Sequence, residues 1–168
     1  MRRALVITAS DRVSEGVRED TSGAGVGARL EALGFTVQRA VLPDERAALT
    51  DVLRASAGSH DLIVTTGGTG LTPRDVTPEA TRDAIDYEVP GLAEAMRAAG
   101  RAVTPFADLS RGVVGVIGRS LVVNLPGSPT GALESLGAIE PTLDHALETL
   151  AGPFDHDRAD DHAASEHR

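Results

Sequence analysis

The sequence predicts an α/β fold: a three-layer, doubly wound, mostly parallel sheet flanked by helices. Three observations carry that expectation. Short runs rich in Val, Ile and Leu alternate with segments of helical periodicity. The apolar runs are near-continuous, as in strands buried on both faces. Polar clusters follow several of these runs, where an open α/β sheet binds its ligands.

The elements follow in order. Residues 4–9 (ALVITA) read as the first strand, and the polar, Gly-rich stretch 10–25 as a long loop. Residues 27–33 look helical and end at Gly34. A second strand spans 35–42, and a helix 46–57 has Ala47, Ala48, Val52 and Leu53 at helical spacing before Gly58. The third strand is 62–65. Thr77-Pro78-Glu79 starts a helix that runs to about Asp86, with threonine as cap, proline in the first turn and an acid behind it. Val89-Pro90-Gly91 breaks the chain, a helix covers 92–99 and ends at Gly100, and 105–112 is short and helical. Strands at 113–118 and 121–125 flank a Gly-Arg-Ser turn. Ser128-Pro129 opens another helix, and Pro141 starts or kinks the last, which ends near Gly152. Residues 154–168 lack apolar periodicity and read as a disordered acidic tail containing His156, His162 and His167, beside a single domain at 1–153. His60 and His145 read as ordinary surface or helix residues.

Composition bounds the function. The chain has 168 residues, 41% hydrophobic but only 2% aromatic, so its core rests on Val, Leu, Ile and Ala. Without cysteine there is no disulfide framework and no thiolate metal site, which suits a reducing compartment. No run has signal-peptide or membrane-spanning character, so a cytoplasmic protein with no membrane partner is expected. A formal net charge of −9 argues against nucleic acid as a partner. All 16 basic side chains are arginine; any phosphate must be held by arginine, main-chain amides, a helix N-terminus or a metal.

The most informative stretch is Thr65-Thr66-Gly67-Gly68-Thr69-Gly70, followed by Leu71-Thr72-Pro73-Arg74-Asp75. A strand runs directly into glycines and hydroxyls, with a cation and a carboxylate within a few residues. Glycine lets the backbone turn sharply and bring N–H groups to an anion. The loop is neither a Walker A motif nor a GxGxxG fingerprint. Taken alone it reads equally as a tight turn. Ser10-Asp11-Arg12, Pro43-Asp44-Glu45 and Asn124-Leu125-Pro126-Gly127-Ser128 follow other strands and gather at the same sheet edge. Singly, Asp44 and Ser128 also read as helix caps, and Asp11 with Arg12 as a local surface pair.

Together with Val89-Pro90-Gly91 and Leu109-Ser110-Arg111, these motifs resemble, in order, the MoaB/Mog family of molybdenum-cofactor biosynthesis, which includes the G domain of gephyrin. The resemblance runs over residues 5–153. It implies a homotrimer that adenylylates molybdopterin with ATP and Mg²⁺, releasing pyrophosphate. It implies Asp44 and Asp75 as the catalytic and metal-binding pair. It places nucleotide and pterin on Ser10, Asp11, Arg12, Thr66, Gly67, Gly68, Thr69, Gly70, Arg74, Ser110, Arg111, Asn124, Pro126, Gly127 and Ser128. Many members of the family carry lysine where this chain has Thr130. A non-catalytic molybdopterin-binding or scaffold protein and a CinA-like nucleotide pyrophosphatase are the alternatives within the resemblance; two retained carboxylates beside phosphates favour the enzyme.

Overall fold

A computed structural model describes residues 1–153; the predicted tail and its three histidines lie outside the described residues. The strands are β1 (Arg3–Ala9), β2 (Thr36–Leu42), β3 (Leu62–Thr66), β4 (Tyr87–Glu88), β5 (Val114–Ile117) and β6 (Ser120–Leu125). The helices are α1 (Asp11–Ser14), α2 (Thr21–Ala32), α3 (Arg46–Ser56), α4 (Thr77–Ala84), α5 (Pro90–Arg101) and α6 (Pro129–Ala151), with a 3₁₀ turn at Pro105–Leu109. They build one six-stranded sheet in the order β2-β1-β3-β6-β5-β4. The pairs β1–β2, β1–β3 and β3–β6 are parallel, whereas β5 is antiparallel to both its neighbours. The sheet is therefore mixed, with β5 alone reversed, because the Gly118 turn (φ +57°) is too short for a crossover and folds β5 and β6 into a hairpin.

Each central strand is apolar on both faces because helices cover both. Ala4, Val6, Leu62, Val64, Leu121, Val123 and Leu125 pack beneath α2, α5 and α6. Leu5, Ile7, Ala9, Ile63 and Val122 pack beneath α3 and α4. The period-two split between the two cores explains the unbroken apolar runs.

The structure corrects several expectations. The stretch 10–25 is not one loop: α1 occupies its start, and α2 begins at Thr21 with Asp20 as its cap, accepting from the Gly23 N–H at 2.8 Å. Three glycines lower the helix propensity of this segment. Gly23 is nonetheless required, since a Cβ there would strike the Thr8 hydroxyl and the Asp20 carboxylate. Thr77 is not a cap; Val76 holds that position without a side-chain bond, and the Thr77 hydroxyl donates to the Gly67 carbonyl at 2.9 Å. The helix it opens stops at Ala84, and Tyr87–Glu88 forms an edge strand too short for any periodicity to show. Gly100 lies inside α5 instead of ending it. Pro141 starts no helix: α6 passes through it, because Leu136, Ile139, Leu143 and Leu147 keep one apolar face buried along the whole length. His60 is buried and held by Gln38 at 2.7 Å, far from the polar edge of the sheet.

Candidate active site

The chain turns back between β1 and β3: one connection leads outward to β2, the next returns to the other side of β1. A crevice opens at the carboxyl ends of such strands. Here Gly67 and Gly68 follow β3 with φ of +92° and +67°. A Cβ on Gly67 would collide with the Ala9 carbonyl, and one on Gly68 with the Thr77 hydroxyl. The glycines therefore satisfy backbone geometry and close packing together. The Gly67 N–H is already spent on the Leu125 carbonyl at 3.1 Å, and the Gly68 carbonyl accepts from Thr77 N–H. The Gly67 amide is thus not available to an anion.

Two depressions lie at this edge. A polar cleft of about 360 Å³ is lined by Ser10, Asp44, Thr66, Gly67, Gly68, Asp75, Gly127 and Ser128 from the predicted set. A more apolar cavity of about 230 Å³ is lined by Ser110, Asn124, Pro126 and Ser128, with Met96, Phe106 and Ala107 among its other walls. Ser128 lines both. Asp11, Arg12, Thr69, Gly70, Arg74 and Arg111 line neither.

Asp44 and Asp75 come from different loops to the polar cleft. One Asp44 oxygen, Oδ2, accepts from the Asp11 N–H at 3.0 Å; the other, Oδ1, is buried without a partner. Burial pushes the Asp44 carboxyl above its ordinary value, and the charges of Asp11 and Asp75 push the same way, against the Asp11 amide and Arg74. A buried carboxylate oxygen with no donor, beside a second negative charge, could hold a cation. Asp75 is aimed by Thr72, whose N–H and hydroxyl donate to its Oδ2 at 2.9 and 2.7 Å. Among the described residues no group of three or more acidic or histidine side chains is placed to hold a metal ion. That suits Mg²⁺, which takes one or two carboxylates and fills its shell with water and substrate phosphates.

Several predicted ligands do other work. Arg74 forms a two-pronged pair with Asp11 at 2.9 and 2.8 Å and thereby lowers the Asp11 carboxyl, so Asp11 and Arg12 do not form a local pair. Arg111 donates to the Gly70 carbonyl at 2.8 Å and the Asp75 carbonyl at 2.7 Å, and pairs with Glu79. It clamps the glycine loop and the base of Asp75. Asn124 is buried, its amide donating to Thr65 and Thr81 and accepting from the Val113 N–H. Ser128 caps α6 through the Gly131 N–H at 3.1 Å. Sequence reasoning misses Arg18, Asp20 and Ser22 in the polar cleft, because they fall in a stretch that reads as loop, and Thr8, because it reads only as a strand residue. The signal available is Asp20-Thr21-Ser22-Gly23, a capping residue ahead of hydroxyls.

A family model described as "Probable molybdopterin binding domain" matches residues 5–145. The chain belongs to this family. The chain is 37% identical over 156 residues to a protein of Helicobacter pylori strain J99 named molybdopterin adenylyltransferase, covering 89% of this chain and 88% of that one. Among solved structures, the MoaB molybdopterin biosynthesis enzyme of Thermus thermophilus is 51% identical, with a TM-score of 0.82 over 90% of this chain and 98% of that one. The Mog molybdopterin biosynthesis protein of Mycobacterium ulcerans is 41% identical, with a TM-score of 0.85 over 89% of this chain and 99% of that one. The MoaB/Mog resemblance and the α/β fold expected from the motifs are thereby borne out.

Proposed function

We propose that this chain transfers AMP from ATP to the terminal phosphate of molybdopterin. A phosphate oxygen of the pterin attacks the α-phosphorus, the bond to the β-phosphate oxygen breaks, and pyrophosphate leaves. The observation that carries this reading is the buried, unpartnered oxygen of Asp44 facing the charge of Asp75 above the Gly67-Gly68 turn. The name of the Helicobacter relative points to the same reaction.

Two polyanions must approach each other, so positioning and charge neutralisation dominate the barrier. Asp44 and Asp75 would hold Mg²⁺, which supplies Lewis-acid stabilisation of the phosphate charge. Asp44 must be ionised to do so, and a bound cation offsets the burial and repulsion that raise its carboxyl. Thr72 and Arg111 fix Asp75 from its side chain and its main chain. No general base is needed, because the attacking phosphate is already ionised near neutral pH. The apolar cavity beside Ser110 and Pro126 suits the flat ring of a pterin or adenine, and Ser128 lines both it and the phosphate-bearing cleft.

The working form is proposed to be a homotrimer in the cytoplasm, with residues 1–153 as its single domain. Val103, Phe106 and Leu109 are apolar and exposed beside the apolar cavity, which supports a covered face. Among the described residues no helix is long and apolar enough to cross a membrane. Light scattering on purified protein tests the trimer. Transfer of label from [α-³²P]ATP to molybdopterin, abolished by a chelator, tests the reaction. Tight pterin binding without transfer would leave a binding module instead.

A further inference from the structure

The polar cleft continues past Asp44 and Gly68 to the start of α2, where Arg18, Thr21 and Ser22 line it. α2 has 12 residues, long enough for its aligned peptide dipoles to favour an anion at this end. The first helical N–H groups are mostly committed. Thr21 donates to the Glu19 carbonyl, Gly23 to the Asp20 side chain and Ala24 to the Asp20 carbonyl. The Ser22 N–H is left over among the described residues. Its hydroxyl is left over too: Ser22 is only 8% exposed, yet Oγ has no hydrogen-bond partner. Ser22 lines the cleft, and neither of its two donors has an acceptor, a costly arrangement unless a ligand accepts from them.

This helix end is held rigidly. Asp20 accepts from the Thr8 hydroxyl at 2.9 Å, from Gly23 N–H at 2.8 Å and from Arg39 at 2.7 Å. Arg39 offsets the Asp20 charge, and the two neutral donors fix the carboxylate in place. The supply of cations points the same way. Arg74 is bound to Asp11 and Arg111 to the glycine loop, whereas Arg18 makes no ion pair among the described residues. Glu19 also reaches the rim, exposed to solvent, and offsets part of the Arg18 charge.

We propose that the N-terminus of α2 is a phosphate subsite, in which the N–H and hydroxyl of Ser22 receive phosphate oxygens and Arg18 closes over them. The ligand class is a phosphate group of the two substrates, either the pyrophosphate portion of the nucleotide or the phosphate monoester of the pterin. Whose phosphate it is rests on the adenylyl-transfer reading; the anion site itself does not.

The test is calorimetric titration of the full chain, without metal, with pyrophosphate and separately with inorganic phosphate. Wild-type protein is expected to bind pyrophosphate, and Ser22→Ala to weaken it about tenfold, the loss of one hydrogen bond to a charged group. Arg18→Gln, at an exposed position, should weaken it similarly without disturbing the fold. Steady-state kinetics then separates the sources. A raised KM for ATP with unchanged KM for molybdopterin assigns the subsite to the nucleotide; the reverse assigns it to the pterin. Wild-type protein that binds neither anion overturns the proposal, as does a Ser22→Ala protein with wild-type affinity for both anions and unchanged KM values. Weakened pyrophosphate binding in a chain that transfers no AMP would uphold the subsite and remove the adenylyl-transfer reading instead.

Discussion

Asp44→Asn should make the protein more stable and catalytically dead. The substitution keeps shape and volume. The amide oxygen can still accept from the Asp11 N–H, the bond that Oδ2 makes at 3.0 Å. What disappears is a negative charge that is partly buried, unpartnered at Oδ1 and repelled by Asp11 and Asp75. The amide nitrogen takes the place of Oδ1, so a buried polar atom stays unpartnered, but that costs less for a neutral group than for a charged one. Arg74 attraction is lost in exchange, so a net gain of about 1–2 kcal/mol is expected in metal-free buffer. For a chain of this size that raises Tm by about 2–8 °C. The pH dependence follows from the direction of the shift. Asp44 is raised in the folded state, so the native protein binds its proton more tightly than the unfolded chain does. The cost is fully present above the folded value and vanishes as pH falls below the unfolded value of about 3.9. Thermal melts with chelator at neutral pH and through the acid range would therefore show a gain that shrinks on acidification. Added Mg²⁺ should stabilise wild type and leave the variant unmoved. A variant that melts at or below the wild-type temperature at neutral pH, with an unchanged circular dichroism spectrum, would refute the account of Asp44 as a strained cation ligand.

Arg111→Met should lower stability by about 1.5–3 kcal/mol and kcat by about 10–100-fold, because the Gly70 and Asp75 carbonyls and Glu79 lose their shared donor; urea unfolding and steady-state kinetics check both. Gly67→Ala should cost about 2–4 kcal/mol, since a side chain is strained at φ +92° and strikes the Ala9 carbonyl; a melt close to wild type would count against the close packing of the two loops. Asn124→Leu should destabilise by about 2–4 kcal/mol by stranding Thr65, Thr81 and the Val113 N–H. A raised KM with unchanged Tm would instead give Asn124 a role in holding ligand. Removal of residues 154–168 should leave AMP transfer unchanged, as judged by kcat/KM; a dead truncation would place the tail in the site.

How much of the site is legible depends on whether its residues sit next to a strong local signal. Asp75 and the Gly67-Gly68 turn follow a buried strand within a few positions, and glycine there answers to a positive φ. Asp44 lies just beyond β2, so its place at the sheet edge follows from alternation of strand and helix. Ser22 is hidden because its helix contains three glycines, and local propensity argues against a helix there. The contact of Gly23 with Thr8 and Asp20 overrides that propensity, and such a contact has no trace in the local sequence. The roles of Arg74, Arg111 and Asn124 escape the sequence for a related reason: a motif shows that an arginine or amide is near the site, but not which acceptors it meets.

The order of apolar runs and helical segments was enough to determine the layered sheet and the edge where polar residues collect, because these follow from periodicity and from where strands end; pairing Asp44 with Asp75 took the family resemblance. The reversal of β5, the unpaired oxygen of Asp44 and the idle donors of Ser22 were decided by the fold alone. They depend on which groups from distant parts of the chain arrive within hydrogen-bonding distance, and which are buried before finding a partner.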